Sequence, residues 1–280
     1  MRPAVTVCLD VRADFILTRK VPILSPVWTA NLKAEFNLAR RKRGKWRPLS
    51  ASTGNYTAPA ICAVITPVTA FQQNCTIVWC LKTMKAAVID PGGEVERLLG
   101  VVAKHSLKLE KIWITHGHAD HAGGAQALHE ASGAPIEGPH PDDLFWIEQI
   151  PAAVETWGLT GARAFTPDRW LGEGDTVQVG EAIFEVRHCP GHTPGHVIFF
   201  NRQARFAQVG DVLFKGSIGR TDFPRGNHAQ LIEAITGKLW PLGDDVQFVP
   251  GHGPPSNFGA ERATNPYVSD QVVRDMGFKA

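Results

Sequence analysis

The segment Thr115-His116-Gly117-His118-Ala119-Asp120-His121 constrains this chain more than any other. Three imidazoles and one carboxylate fall within six residues, directly after the apolar Ile112-Trp113-Ile114. A strand that ends in a loop this dense in donors is a place to hold metal, and imidazole with carboxylate suits zinc and iron-type divalent ions. In an extended segment His116 and His118 project to one side, while Asp120 and His121 lie around the following turn. One such loop can therefore serve two metals, with the first two histidines on one and the Asp-His pair on the other.

Further donors lie downstream, each in a loop. His192 sits in Cys189-Pro190-Gly191-His192-Thr193-Pro194-Gly195-His196, Asp211 ends Val209-Gly210-Asp211, and His252 sits in Pro250-Gly251-His252-Gly253-Pro254. Each follows a glycine and caps a short apolar run, and glycine permits the tight backbone path that aims the next side chain at a shared point. His105, His129, His140 and His228 lack such support and read as surface or core histidines.

The order THxHxDH, GHTPGH, GD and PGHGP resembles the metallo-β-lactamase superfamily. Phe71-Gln72-Gln73-Asn74-Cys75, Ile89-Asp90-Pro91-Gly92-Gly93, Thr166-Pro167-Asp168-Arg169-Trp170-Leu171 and Gly219-Arg220-Thr221-Asp222-Phe223-Pro224-Arg225-Gly226 resemble its glyoxalase-II-like branch, in particular the short, YcbL-type bacterial hydroxyacylglutathione hydrolases. The resemblance covers roughly residues 60–275. It implies an α+β fold, an αββα sandwich of two mixed sheets with outer helices and the metal site at one edge. It also implies a ligand set: His116, His118 and His192 on one metal, Asp120, His121 and His252 on the other, and Asp211 bridging. Two divalent ions, zinc first and iron or a mixture next, would share a hydroxide that attacks the substrate carbonyl. Asp120 and Asp211 would then be the catalytic carboxylates, and no Ser or Cys nucleophile is needed.

The expected substrate is a glutathione thioester such as S-lactoylglutathione, cleaved to D-lactate and glutathione. Arg220 stands where the branch places a cation for the glycine carboxylate of glutathione, and Lys215 and Arg225 are cations nearby. Asp90 is either a turn residue or a carboxylate that orients a ligand histidine. Thr115, Thr193 and His196 read the same way, with structural roles favoured. Only 28 residues follow His252, too few for the C-terminal helical domain of the long glyoxalase II enzymes, so a more open glutathione pocket is expected.

The motif leaves competing functions open. A mononuclear iron persulfide dioxygenase on the same fold keeps the HxHxDH text and would use His116, His192 and Asp211 alone. A non-catalytic metal scaffold has no use for seven donors. A β-lactamase of the periplasm would need a signal peptide, and no continuous apolar core for one is found near the start.

Residues 1–58 read differently from the rest. They carry eleven Lys and Arg against three Asp and Glu, within a chain of net charge +2. The remainder is mildly acidic, so no basic face for nucleic acid is expected on it. The first segment lacks apolar periodicity and reads as a disordered extension, or as sequence translated from upstream of the true start. Residues 59–280 form the catalytic domain. No apolar run reaches the ~18–20 residues of a membrane span. Five scattered cysteines predict no disulfide framework and a cytoplasmic, reducing setting; Cys189 reads as a packing residue. A monomer or small homo-oligomer is expected.

Runs 61–68, 76–81 and 86–89 predict strands. Val95, Leu98, Leu99 and Val102 predict an amphipathic helix over 94–106. A strand over 110–115 presents the histidine loop, and helices follow over 122–132 and over 141–160, the second broken at Pro151. Strands are predicted near 176–179, 182–188, 196–201 and 205–210. Asn227 opens a capped helix with Gln230 three residues on, and a strand near 246–250 delivers His252.

Overall fold

The computed structural model describes residues 5–9 and 61–277. Two six-stranded sheets pack face to face. The first has the order β1 (Val5–Leu9), β2 (Ile61–Val68), β3 (Gln73–Cys80), β4 (Lys85–Ile89), β5 (Lys108–Trp113) and β6 (Ile136–Glu137). The second runs, from its opposite edge, β7 (Thr176–Val179), β8 (Ala182–His188), β9 (Val197–Asn201), β10 (Phe206–Gly210), β13 (Gln247–Pro250) and β14 (Ser256–Asn257). A small hairpin, β11 (Leu213–Phe214) and β12 (Ser217–Ile218), follows β10. Both sheets are mixed: β4, β5 and β6 pair parallel, as do β10 and β13.

Strand alternation builds three core layers. In β2, Cys62, Val64 and Val68 face the helices on the outer side of the first sheet, while Ile61, Ala63 and Ile65 face the second sheet. Phe184 and Val186 of β8 and Val197 and Phe199 of β9 complete that middle layer. There the Trp113 ring lies 5.1 Å from Phe184 and 5.4 Å from Phe199. Ile198 and Phe200 point the other way, under α6 (His228–Ala234) and α7 (Phe258–Thr264), with α8 (Asp270–Asp275) behind them. On the outer face of the first sheet lie α1 (Val95–Lys104), α2 (Ala119–Ala122), α3 (Ala125–Ser132), α4 (Leu144–Glu148) and α5 (Ile150–Trp157). The result is the expected αββα sandwich.

Several elements differ from their sequence-based expectation. The helix predicted over 122–132 is two, α2 and α3, separated by Gly123 and Gly124. The 141–160 segment breaks at Gln149, not at Pro151, which sits in the first turn of α5 where no backbone N–H is needed. Val5–Leu9 pair antiparallel with β2, Val5 opposite Ile65 and Leu9 opposite Ile61. These five residues, expected outside the fold, extend the first sheet; the rest of the 1–58 extension lies outside the described residues. Cys62 is disulfide-bonded, a single bond where the sequence reading expected no disulfide framework; Cys75, Cys80 and Cys189 are free. The cap at Asn227 is present, its side chain accepting from the Gln230 N–H.

Candidate metal centre

The site lies at one edge of the sandwich, where strands of both sheets end. β4 leads into Asp90, and β5 leads through Ile114 and Thr115 into His116 and His118. α2 carries Asp120 and His121, and the β8–β9 loop carries His192. β10 leads into Asp211 and β13 into the turn holding His252. Backbone bonds clamp the two sheets here, from Val197 N to Thr115 O at 2.8 Å and from Asn74 N to Gly251 O at 2.7 Å. The Asn74 amide adds bonds to the carbonyls of Pro250 and Gly253.

Two glycines let the donors approach. A Cβ on Gly251 would lie 2.0 Å from Asp211 Oδ1 and 2.5 Å from His121 Cε1, and Gly210 has φ +49° with His196 Nε2 2.6 Å from the Cβ position. No other residue fits at such distances.

The hydrogen bonds fix which ring nitrogens face the centre. Asp90 is fully buried, and its carboxylate accepts from Thr115 N and from Thr115 Oγ1, both at 2.7 Å. With its proton given to Asp90, Thr115 Oγ1 is left to accept from His116 Nδ1 at 3.0 Å. His121 Nδ1 donates to Asp90 Oδ2 at 3.0 Å, His192 Nδ1 to the Arg220 carbonyl at 2.8 Å, and His252 Nδ1 to the Phe71 carbonyl at 3.3 Å. In their neutral form all four rings therefore carry the lone pair on Nε2. Asp90 thus orients the His121 ring as well as forming a turn.

These lone pairs converge on two adjacent points. His116 Nε2 and His192 Nε2 lie 3.1 and 3.0 Å from His118 Nδ1. His252 Nε2 lies 3.3 Å from His121 Nε2 and 3.2 Å from Asp120 Oδ2. Asp211 stands between the groups, with Oδ1 3.4 Å from His121 Nε2 and Oδ2 3.5 Å from His192 Nε2 and 3.7 Å from His252 Nε2. Facing lone pairs repel unless a cation lies among them. Four-coordinate zinc with bonds of about 2.0–2.1 Å holds its ligands about 3.3 Å apart, close to this spacing. Asp211 Oδ1 is buried without a hydrogen-bond partner. The donors thus fit two divalent ions: His116, His118 and His192 form one group and Asp120, His121 and His252 the other.

Electrostatics set the first donor group apart from the second. Burial pushes the imidazoles of His116 and His192 down and that of His118 to about 3, so all three are neutral and able to coordinate. Burial opposes charge on Asp211, but His121, His192 and His252 outweigh it and hold the carboxyl well below the usual range. Burial also acts against a charged His121, yet Asp211 and Asp120 push it up.

Three supporting residues escaped sequence reasoning or gain a role. Asp143, fully buried, accepts from Gly117 N and Thr193 Oγ1 at 2.8 Å and from Gly195 N at 2.6 Å. It ties the first histidine loop to the second, and Thr193 acts through it. His196 stacks on His116, with ring centroids 4.6 Å apart, and its Nε2 accepts from Asp211 N at 3.0 Å. Burial pushes the Cys189 thiol up to about 12, consistent with packing rather than reactivity.

The proposed substrate cations separate. Arg220 lines the cavity above the centre, whereas Lys215 is exposed and is not among the lining residues. The Arg220 guanidinium pairs with Asp222 at 2.7 Å and lies 4.5 Å from the Phe223 ring. Arg225 instead lies over Phe145.

The profile of the Metallo-beta-lactamase superfamily matches residues 68–252. The chain belongs to this superfamily. Among superfamily members, it is 45% identical over 208 residues to the hydroxyacylglutathione hydrolase GloC of Haemophilus influenzae, covering 74% of this chain and 98% of that protein. The crystal structure of TTHA1623 in a di-iron-bound form is similar, with TM-score 0.67 and 35% identity over 73% of this chain and 99% of that one. So is that of the B3 metallo-beta-lactamase BLEG-1, with TM-score 0.68 and 30% identity over 74% and 99%. Within the superfamily the chain falls in the glyoxalase-II-like branch and is a metal-dependent hydrolase. Among the described residues, no helix is long and apolar enough to cross a membrane.

Proposed function

We propose that this chain hydrolyses a glutathione thioester such as S-lactoylglutathione, giving D-lactate and glutathione. The observation that carries the reading is the pair of adjacent donor groups sharing Asp211 at the floor of a cavity that also holds Arg220. The relationship to a hydroxyacylglutathione hydrolase supports the choice of thioester.

Two divalent ions, zinc first and iron as the alternative, would supply an acidified water as nucleophile and a polarised carbonyl. His116, His118 and His192 would hold one, Asp120, His121 and His252 the other, and the Asp211 carboxylate both. Asp90 and the Arg220 carbonyl fix the tautomers of His121 and His192, so each ring presents Nε2 without reorganisation. The water oxygen enters the new carboxyl group, the C–S bond breaks, and the thiol leaves as glutathione. The Arg220 guanidinium would meet the glycine carboxylate of glutathione. A cytoplasmic setting, where a glutathione pool is maintained, and a monomer or small homo-oligomer complete the reading.

The test is a side-by-side assay of purified metal-loaded protein with S-lactoylglutathione and with glutathione persulfide. Thiol release from the first supports the proposal. Oxygen uptake on the second without thioester cleavage replaces it with a mononuclear iron dioxygenase using His116, His192 and Asp211.

A further inference from the structure

Above the donors lies a cavity of about 650 Å³ whose charged lining, apart from histidines, consists of Asp120 and Asp211 at the floor and Arg220 at one side. Its walls divide by the donor group they adjoin. On one bank, the Phe223 ring lies 5.0 Å from the ring of His118 and 5.7 Å from that of His192, and the Arg220 carbonyl holds His192. On the other bank, the Phe71 carbonyl holds His252, the Phe214 ring lies 6.4 Å from that of His252, and the Phe71 and Trp157 rings meet edge to face at 6.0 Å.

The second bank has no charged side chain among its described lining residues beyond the floor carboxylates. It is nevertheless open: Phe71 is 42% and Trp157 60% exposed. These two aromatics come from separate elements, the β2–β3 turn and the end of α5, and meet at the cavity mouth. Aromatic surface left uncovered beside a reaction centre marks a contact for an apolar group.

We infer that the acyl half of the substrate is a bulky apolar group, larger than lactoyl, received by Phe71, Trp157 and Phe214. The inference rests on the thioesterase reading above. With the carbonyl carbon over the donors and the glutathione carboxylate at Arg220, the thiol half occupies the first bank. The acyl substituent leaves the same carbon in the other direction and reaches the second. The single methyl group of a lactoyl substituent would leave these rings largely bare, whereas an aryl or branched alkyl group would cover them. Desolvating such a group in an aromatic slot is worth about tenfold or more in specificity.

The test compares S-D-mandeloylglutathione with S-D-lactoylglutathione, which differ only by phenyl in place of methyl. Wild-type kcat/KM is expected to favour the mandeloyl ester by about tenfold or more, and the ratio is expected to fall toward unity in both Trp157→Ala and Phe71→Ala. Both side chains are exposed, so folding is not at stake. Equal or reversed preference, or variants that change both substrates alike, would overturn the inference and leave the thioesterase reading standing. Failure of wild type to cleave either ester would overturn both.

Discussion

The Gly117 N–H donates to Asp143 Oδ2 at 2.8 Å, and the same carboxylate takes Thr193 Oγ1 and Gly195 N. One buried side chain thus sets the spacing between the loop of His116 and His118 and the loop of His192. In Asp143→Asn, one of the two oxygens becomes an amide donor facing a donor. The expected cost is about 1–3 kcal/mol of stability and about 10–100-fold in metal affinity. Thermal melting and a competition titration with a chromogenic chelator measure the two. Unchanged affinity would show that the loops hold their spacing without Asp143.

Gly251→Ala places a methyl group 2.0 Å from Asp211 Oδ1. The carboxylate that stands between the two donor groups must then move. Thioester turnover should fall by at least about 100-fold, with metal content below two equivalents, while circular dichroism stays native. A fully active, fully loaded variant would mean that Asp211 is not shared.

Stability of the chelated protein should fall with acid. Burial holds His118 at about 3, and His116, His192 and His196 low, against an unfolded value of 6.5. A base depressed in the folded state contributes stability that is complete above about pH 6.5 and is lost as pH falls toward its folded value. His121 and His252 are raised, so their contribution is complete below about 6.5 and lost only at higher pH. The two windows do not overlap. Burial raises Asp143 to about 6, which works the other way over this range, but the four depressed histidines outnumber it. Melting temperature should therefore drop from pH 6.5 to pH 4, and less steeply in His118→Gln. A flat profile would contradict this.

Much of the candidate metal centre was legible because its chemistry is local. Three histidines and Asp120 lie within one loop, and His192, Asp211 and His252 each follow a glycine that the geometry requires or accommodates. Asp143 was not legible because its partners lie 26, 50 and 52 residues away. Asn74 stood in a recognised motif, yet its bonds reach 176 and 179 residues to the turn carrying His252. β1 is five residues long, and its β-branched Val5-Thr6-Val7 stood in a segment otherwise dominated by basic charge; its ladder with β2 reveals it. The split at Gln149 escaped because a proline can mark either a break or the first turn of a new helix.

Arg220 holds His192 through its backbone carbonyl, not its side chain. Arg220→Ala should therefore leave metal content intact. It should raise KM for an acylglutathione by about tenfold, with kcat changed less, because a carboxylate contact acts on ground and transition states alike. A thioester of a neutral thiol should be indifferent. Equal effects on both substrates would assign Arg220 a structural role through its pairing with Asp222.

A thioester hydrolase built on two metal ions must lose its activity with them. Chelated protein is titrated with zinc, and separately with ferrous iron, while thiol release from S-lactoylglutathione is followed. Turnover absent at zero metal and rising to a maximum near two equivalents per chain is the predicted result. Full thioesterase activity in the metal-free protein, or a maximum at one equivalent that Asp120→Ala leaves unchanged, would contradict it.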